Sequence, residues 1–153
     1  MLADDNTGGE QDPPPLRATP SSARIALGEI VVVAPGVIHC RVPGYVRLDT
    51  LERIIAAADD QLRKGHRPRI FIDSAETYRY DIDVRKVFQD WVTNNRSKIE
   101  GIWVLYSSPL IKIGTSLASA FTGGAFHGYD EIEEFDRELD AAIRRGLDAS
   151  RPV

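Results

Sequence analysis

Three carboxylates around one polar loop are the residues of this chain whose types and spacing suit chemistry. Asp73 ends the apolar run Arg69 to Asp73, and Asp81 and Asp83 follow a seven-residue polar and aromatic stretch. An aspartate can act as a nucleophile, but group transfer also needs a residue that donates a proton. Ala75 occupies the position two residues after Asp73 where such a donor belongs. The pattern therefore argues against a reaction centre.

Two phosphoryl-transfer alternatives fail on missing residues. Asp73 to Thr77 faintly resembles the Asp-x-Asp-x-Thr motif of haloacid-dehalogenase-type phosphatases, but it lacks the second Asp. A receiver domain with Asp73 as phospho-acceptor needs an acidic pair after an earlier strand to hold magnesium, and the two Pro-Gly turns at 35–36 and 43–44 provide none. The sequence also lacks a Gly-rich phosphate loop and a Gly-x-Ser-x-Gly elbow. We therefore expect a protein that is not an enzyme.

The same loop has the composition of a recognition site. Two tyrosines and an arginine in a polar loop are residue types that dominate binding hot spots. For the carboxylates a structural role stays open, since Asp73 is placed to accept amide hydrogen bonds from the following turn, and Asp81 and Asp83 suit the positive end of a helix. The predicted partner-binding residues are Asp73, Ser74, Tyr78, Arg79, Tyr80, Asp81 and Asp83.

The segments around this loop predict alternating strands and helices. Glu29 to Ala34 and Val37 to Val42 are β-branched runs joined by Pro35-Gly36, which predicts an antiparallel hairpin. Apolar strands at 69–73, 101–106 and, more weakly, 125–129 then alternate with four helical patterns, at about 50–64, 81–95, 108–122 and 130–146. The order ββαβαβαβα predicts an α/β fold with a mixed, mostly parallel sheet and about four helices.

Capping residues define the predicted helix ends. Asp49 to Glu52 and Asp130 to Glu133 have the capping-box pattern, and Ser108 with Pro109 suits the start of the third helix. Glycines that follow the helical patterns are predicted to end the first, third and fourth helices, namely Gly65, Gly123-Gly124 and Gly146.

Length and composition predict one domain. The 153 residues divide into a disordered tail at 1–23, a folded domain at 24–147 and a frayed C-terminus at 148–153. The net charge of -4 and the lack of a basic stripe argue against nucleic-acid binding. No apolar run approaches the roughly 20 residues of a membrane span, and no signal pattern opens the chain. A cytoplasmic location is expected.

Metal and cofactor sites are not expected. Cys40 is the only cysteine, and its type is among those most often buried. His39, His66 and His127 do not have the spacing of metal ligands.

The chain resembles the STAS domain of anti-sigma-factor antagonists. The resemblance covers about Ile30 to Gly146 and rests on the element order, the phrase VPGYVRLDTLERI before the first helix, and the strand that ends at Asp73. In that family, Asp-Ser-Ser-Gly begins the second helix eight residues after the strand's Asp. Asp81-Ile82-Asp83-Val84 occupies that place here. The resemblance implies a protein-interaction module in bacterial-type signalling.

The departure from the signature concerns its regulatory serine. In the family, phosphorylation of the second Ser switches binding to a kinase-type anti-sigma factor, and Asp83 stands at that position. A carboxylate imitates part of a phosphoserine's charge. The ending AFTGGAFHGYDEIEEFDRELDAAI is closer to a divergent STAS-like group that shares its architecture with CRAL-TRIO lipid-transfer domains. For this group no phosphoswitch is implied.

The third helix suggests an alternative, a carrier or sensor of a small apolar ligand or lipid. Positions 107–124 are unusually apolar and rich in small residues, which permit close packing or leave room for a ligand. The candidate ligand-binding residues are Ser107, Ser108, Ile111 and Leu117. A homo-oligomer formed through the edge strand of the hairpin also stays open.

Overall fold

A computed structural model of the chain describes residues 25–150. The tail predicted for residues 1–23 lies outside the described residues, as do residues 151–153. The elements, in chain order, are β1 (Ile30–Ala34), β2 (Val37–Arg41), β3 (Tyr45–Val46), α1 (Leu48–Arg63), β4 (Arg69–Ser74), β5 (Arg79–Tyr80), α2 (Ile82–Asn94), β6 (Gly101–Tyr106), α3 (Pro109–Phe121), β7 (Phe126–Tyr129) and α4 (Ile132–Ala149).

Five of these strands form one mixed sheet in the order β1-β2-β4-β6-β7. The β1 and β2 strands pair antiparallel around the Pro35-Gly36 turn, in which Gly36 has a φ of 77°. A positive φ is costly for other residues, so glycine suits this turn. The remaining pairs are parallel, with helices as crossovers. The predicted α/β fold with an N-terminal hairpin and four helices is confirmed.

The side chains of the sheet alternate between two apolar layers. Ile70 and Ile72 of β4 pack in the larger layer with residues of α1, α2 and α3, whereas Phe71 packs in a second layer with residues of α4. Phe71 stacks on Trp103 of β6 with ring centroids 4.8 Å apart. Because both faces of β4 and β6 are covered, their sequences are continuous apolar runs without alternation.

A second, two-stranded sheet was not predicted from the sequence. The β3 and β5 strands pair in parallel, with Tyr45 opposite Arg79 and Val46 opposite Tyr80. This ladder lies within the segments that lead into α1 and α2. It therefore holds the starts of these two helices side by side.

The two predicted capping boxes are wrong. The α1 helix begins at Leu48 after Arg47, and α4 begins at Ile132 after Glu131, and neither helix has a side-chain cap. The chain passes from β3 into α1 with only Arg47 between them, and Arg47 is extended, with a φ of -101° and a ψ of 167°. The helix therefore begins at Leu48, one residue before the predicted capping box. The Ser108 cap of α3 is confirmed, since its hydroxyl accepts a hydrogen bond from the amide of Leu110 at 3.1 Å.

Gly146 does not end α4, which continues to Ala149. It is buried inside the helix, and a Cβ atom at this position would lie 2.9 Å from the carbonyl oxygen of Pro35. The glycine therefore lets α4 approach the hairpin turn closely. Gly65 and Gly123-Gly124 follow the ends of α1 and α3 with positive φ, as predicted.

Within residues 25–150, no helix is long and apolar enough to cross a membrane.

Candidate functional site

The loop between β4 and α2 is held against the segment that precedes α1. The amides of Tyr78 and Arg79 both donate hydrogen bonds to the carbonyl oxygen of Gly44, at 2.9 and 3.2 Å. The hydroxyl of Thr77 donates to the carbonyl oxygen of Pro43 at 2.8 Å, and the amide of Asp81 donates to the carbonyl oxygen of Val46 at 3.0 Å. The loop is therefore a fixed part of the fold.

Side chains around Tyr45 reinforce this attachment. The hydroxyl of Tyr45 donates a hydrogen bond to the carboxylate of Asp81, which raises the pKa of Tyr45. The guanidinium groups of Arg47 and Arg79 lie 4.8 and 4.7 Å from the centre of its ring. Cation–π contacts of this kind stabilise by about 0.5–1 kcal/mol at exposed sites. Asp81 therefore holds the loop through its side chain. It stands at the N-cap position of α2, but the predicted capping role is wrong, because its carboxylate makes no hydrogen bond to the amides of the helix.

Asp73 and Ser74 are buried and already hydrogen-bonded. The carboxylate of Asp73 accepts a hydrogen bond from the amide of Ala75 at 3.0 Å, which is the structural role left open by the sequence. The hydroxyl of Ser74 donates to the carbonyl oxygen of Leu105. A protein partner cannot contact either side chain directly, because both are buried. These two residues therefore stabilise the loop, and the other residues of the predicted site form its exposed surface.

The exposed part of the predicted site is aromatic and charged. Tyr78 is 67% exposed and packs over Gly44, where a Cβ atom would lie 2.7 Å from the tyrosine ring. Arg79 is exposed at the same loop, and Tyr80 is half-buried. Asp83 is exposed in the first turn of α2, and it has no ion-pair partner within residues 25–150.

The apolar residues of α3 lie on two faces, which the sequence interpretation did not separate. The inner face consists of Ile111, Gly114, Thr115 and Ala118, all of which are buried. The outer face consists of Leu110, Ile113, Leu117 and Phe121, which are all exposed. Their spacing of three, four and four residues is that of one helix face. This spacing is the sequence signal that predicts a second apolar face.

Ile82 adds to the exposed apolar surface. It is the first residue of α2 and is 87% exposed. Because α2 and α3 both begin at the carboxyl edge of parallel strands, Ile82 and Leu110 lie at the same edge of the sheet. Tyr80, which precedes α2, packs against α3. Its hydroxyl lies 2.8 Å from the point that a Cβ atom would occupy if Gly114 had one.

A cavity of about 120 Å³ lies beneath α2, between α1, α3 and the sheet. Its walls are almost entirely apolar, and Ile111 is the only one of the four candidate ligand-binding residues that lines it. Ser107 and Leu117 are exposed, and Ser108 caps α3. A cavity of about 150 Å³ holds one benzene molecule. The cavity in this protein is slightly smaller, so it is too small for the acyl chain of a lipid.

Comparisons with known proteins identify the fold. No protein-family model and no curated protein matches the sequence. An uncharacterised protein of the DUF3478 family with a SpoIIAA-like fold, from Shewanella loihica, matches 67% of this chain and 83% of its own, with a TM-score of 0.53 and 13% identity. The Bacillus cell fate determinant SpoIIAA, in its phosphorylated form, matches 72% of this chain and 97% of its own, with a TM-score of 0.52 and 15% identity.

Each of these similarities covers about two thirds of this chain or more. Neither protein is described as an enzyme. At this level of identity the likeness concerns the fold alone, and the chain has a STAS-like α/β fold.

Proposed function

We propose that this protein is a non-catalytic interaction module in bacterial-type signalling that binds a protein partner through one continuous surface, the docking face. The docking face comprises Tyr78, Arg79, Ile82 and Asp83 together with the outer residues of α3, which are Leu110, Ile113, Leu117 and Phe121.

Exposure of large apolar side chains is the observation that carries the proposal. Ile82, Phe121, Tyr78 and Ile113 are 87%, 72%, 67% and 59% exposed. Large apolar side chains that gather on one part of a protein surface mark interaction sites. Burial of one such side chain contributes about 1.5–3 kcal/mol, so a partner that covers several of them gains substantial affinity.

Charges around the docking face favour a partner with an acidic margin. Arg79 and Lys112 are exposed, and within residues 25–150 neither forms an ion pair with a carboxylate. Complementary charges at the rim of an interface accelerate association and select the partner. The partner surface is therefore apolar at its centre and acidic beside Arg79 and Lys112.

Attachment of the loop lowers the entropic cost of binding. Side chains and loops that become ordered on binding reduce affinity, and a loop that is already fixed avoids that cost. Hydrogen bonds to Pro43, Gly44 and Val46 hold the loop before any partner arrives. The backbone that carries Tyr78 and Arg79 is thereby held in one conformation.

Asp83 provides a constant negative charge in this proposal. It stands in the first turn of α2, where the related signature has its regulatory serine. A carboxylate carries one negative charge at neutral pH, compared with about 1.5–2 for a phosphoserine. The docking face is therefore permanently in one charge state and does not respond to a serine kinase at this position.

Substitution of Ile113 tests the docking face. We expect Ile113→Asp to reduce affinity for the partner at least tenfold, because a desolvated carboxylate in an apolar interface is unfavourable. Leu147→Asp is the matched control, since Leu147 is 50% exposed on α4, on the other side of the sheet. Affinity purification with quantitative mass spectrometry identifies the partner, and titration of the purified proteins measures the change.

Two outcomes would overturn this proposal. One is recovery of the same proteins by the wild type, Ile113→Asp and Leu147→Asp. The other is a self-associated wild type that becomes monomeric in Ile113→Asp with no change in captured proteins, since the surface is then an interface between copies of this chain. Analytical ultracentrifugation separates the two.

Substitution of Asp83 tests the fixed charge. We expect Asp83→Asn and Asp83→Ala to weaken partner binding to a similar extent, because both remove the negative charge. Asp83→Ser is expected to bind as weakly as these two variants, and to regain affinity when the serine is phosphorylated. Equal affinity of all four proteins would remove any role for this carboxylate in recognition. The docking face would then depend on its apolar residues alone.

A further inference from the structure

The cavity beneath α2 has the composition of a small-molecule site. It is lined by apolar residues of the sheet and of three helices, among them Val42, Leu51, Ile72, Phe88 and Val104, and it opens to solvent on one side. Ligand sites in proteins are concave and mostly apolar, with a few polar groups that fix the orientation of the ligand. Its polar lining residues therefore indicate the chemistry of a ligand.

Most of the polar groups in the lining are already satisfied. The hydroxyls of Ser74, Thr77 and Thr115 donate hydrogen bonds to the carbonyl oxygens of Leu105, Pro43 and Ile111, respectively. Each of these donors is therefore committed to the backbone. None of them is available to donate to a ligand.

Two donors in the lining are uncommitted. The hydroxyl of Tyr80 and the guanidinium group of Arg85 have no hydrogen-bond or ion-pair partner within residues 25–150. Arg85 is the only charged residue in the lining, and it is exposed, which places it where the cavity opens to solvent. Tyr80 is half-buried, and its hydroxyl lies next to Gly114 on the inner face of α3.

We propose that this cavity binds a small monocarboxylate, with its apolar group enclosed beneath α2 and its carboxylate held at the opening by Arg85 and the hydroxyl of Tyr80. A guanidinium group matches a carboxylate in charge and in hydrogen-bond geometry. The volume of about 120 Å³ limits the enclosed group to about the size of one six-carbon ring. The ligand class is therefore a short-chain or aromatic acid.

This site is independent of the docking proposal. Arg85 and the apolar residues that line the cavity are not part of the docking face. Ligand binding is measured on the isolated protein, without any partner. Loss of partner binding in Ile113→Asp leaves the carboxylate site intact, because Ile113 lies on the outer face of α3 and does not line the cavity.

Titration with probes that differ in charge and length tests the site. The probes are hexanoate, hexanol, hexylammonium and hexadecanoate, with binding measured by calorimetry and by chemical-shift changes of the backbone amides. We expect hexanoate to bind at least tenfold more tightly than hexanol and hexylammonium. Shift changes are expected to centre on α2 and the inner face of α3. Hexadecanoate gains nothing from its longer chain.

Variants of the two donors complete the test. Arg85→Gln is expected to weaken hexanoate binding about tenfold and to abolish the preference over hexanol, whereas Tyr80→Phe weakens it about threefold. Arg144→Gln, which removes an exposed arginine from α4 on the other side of the sheet, is the control and is expected to bind as the wild type does. The thermal unfolding temperature of each variant verifies that it is folded.

Three results would overturn this assignment. If no probe binds, the cavity is a packing defect. If hexanol binds as tightly as hexanoate and Arg85→Gln changes nothing, the cavity accepts apolar groups without a carboxylate. If hexadecanoate binds most tightly, the cavity opens further than the structure indicates, and the protein is a lipid carrier.

Discussion

His39 is a titratable residue that is fully buried. It lies in β2 with 0% exposure, and its ring is 6.3 Å from that of Phe135 on α4. Neither ring nitrogen has a hydrogen-bond partner within residues 25–150. Burial disfavours the charged imidazolium and lowers the pKa of His39 to about 4. The folded protein therefore holds this side chain neutral.

Stability is expected to fall in weak acid because of His39. Between pH 6.5 and about pH 4 the unfolded chain binds a proton at His39 that the folded protein does not. The free energy of unfolding consequently decreases as the pH falls through this window, by about 1.4 kcal/mol per pH unit and about 3 kcal/mol in total. Above pH 7 this contribution is constant. Urea unfolding at several pH values measures the effect.

His39→Leu separates this effect from the titration of carboxylates. An apolar side chain of similar size removes both the buried polar nitrogens and the proton linkage. We expect the variant to be at least as stable as the wild type at pH 7, and its advantage to grow towards pH 4.5. A difference between the two proteins that does not change with pH would contradict the assigned pKa.

The α4 helix comes close to the hairpin turn at one of its glycines, Gly146. It is the helix that covers the second face of the sheet, with Phe135 and Leu139 fully buried against it. Gly146 lets the helix approach Pro35 in the hairpin turn. The glycine thus has a packing role, although its position in the sequence suggested a helix end.

Gly146→Ala is expected to destabilise the protein. In an open helix, alanine is favoured over glycine by about 0.8–1.0 kcal/mol, but here the new methyl group would lie 2.9 Å from a carbonyl oxygen that cannot move aside freely. Overpacking of this kind costs about 1–3 kcal/mol. Ser116→Ala, at an exposed position of α3, is the control and is expected to be neutral or stabilising. Denaturant unfolding compares the two, and a stabilised Gly146→Ala would show that the approach of α4 is not tight.

The sequence predicts the large elements but not the small ones. Five strands and four helices follow from apolar runs and helical periods, such as the run Gly101–Tyr106. The ladder between β3 and β5 was missed because strands of two residues have no periodicity. The outer face of α3 was missed because the apolar residues of positions 107–124 were treated as one pattern, whereas they form a buried face and an exposed face. Small residues on the inner face permit close packing, which leaves the larger ones outside.

Cys40 is a probe of the unfolding of the whole molecule. It lies in β2 with no exposure, and its thiol donates a hydrogen bond to the carbonyl oxygen of Phe71 at 3.5 Å. Burial raises the pKa of Cys40, and the negative charge of Asp73 raises it further. Because the thiolate is the reactive form, the folded protein protects this residue from alkylation.

Alkylation of Cys40 is expected to require global unfolding. Its strand lies between β1 and β4, and its side chain packs in the larger apolar layer, so local opening of a helix end does not expose it. The rate of modification by iodoacetamide at pH 8 should therefore change with urea concentration as strongly as the free energy of unfolding does. A fast reaction that is independent of urea would show that β2 opens locally.

The ladder between β3 and β5 also implies an order of events during folding. Its partners are 34 residues apart, with α1 and β4 between them, so closing it before those elements exist carries a large loop-closure cost. We expect contacts such as that of Tyr45 with Asp81 to form after the transition state, with Tyr45→Phe accelerating unfolding and leaving the folding rate unchanged. The surface that presents Tyr78 and Arg79 is then completed last, so a partner that requires it recognises only chains that have finished folding.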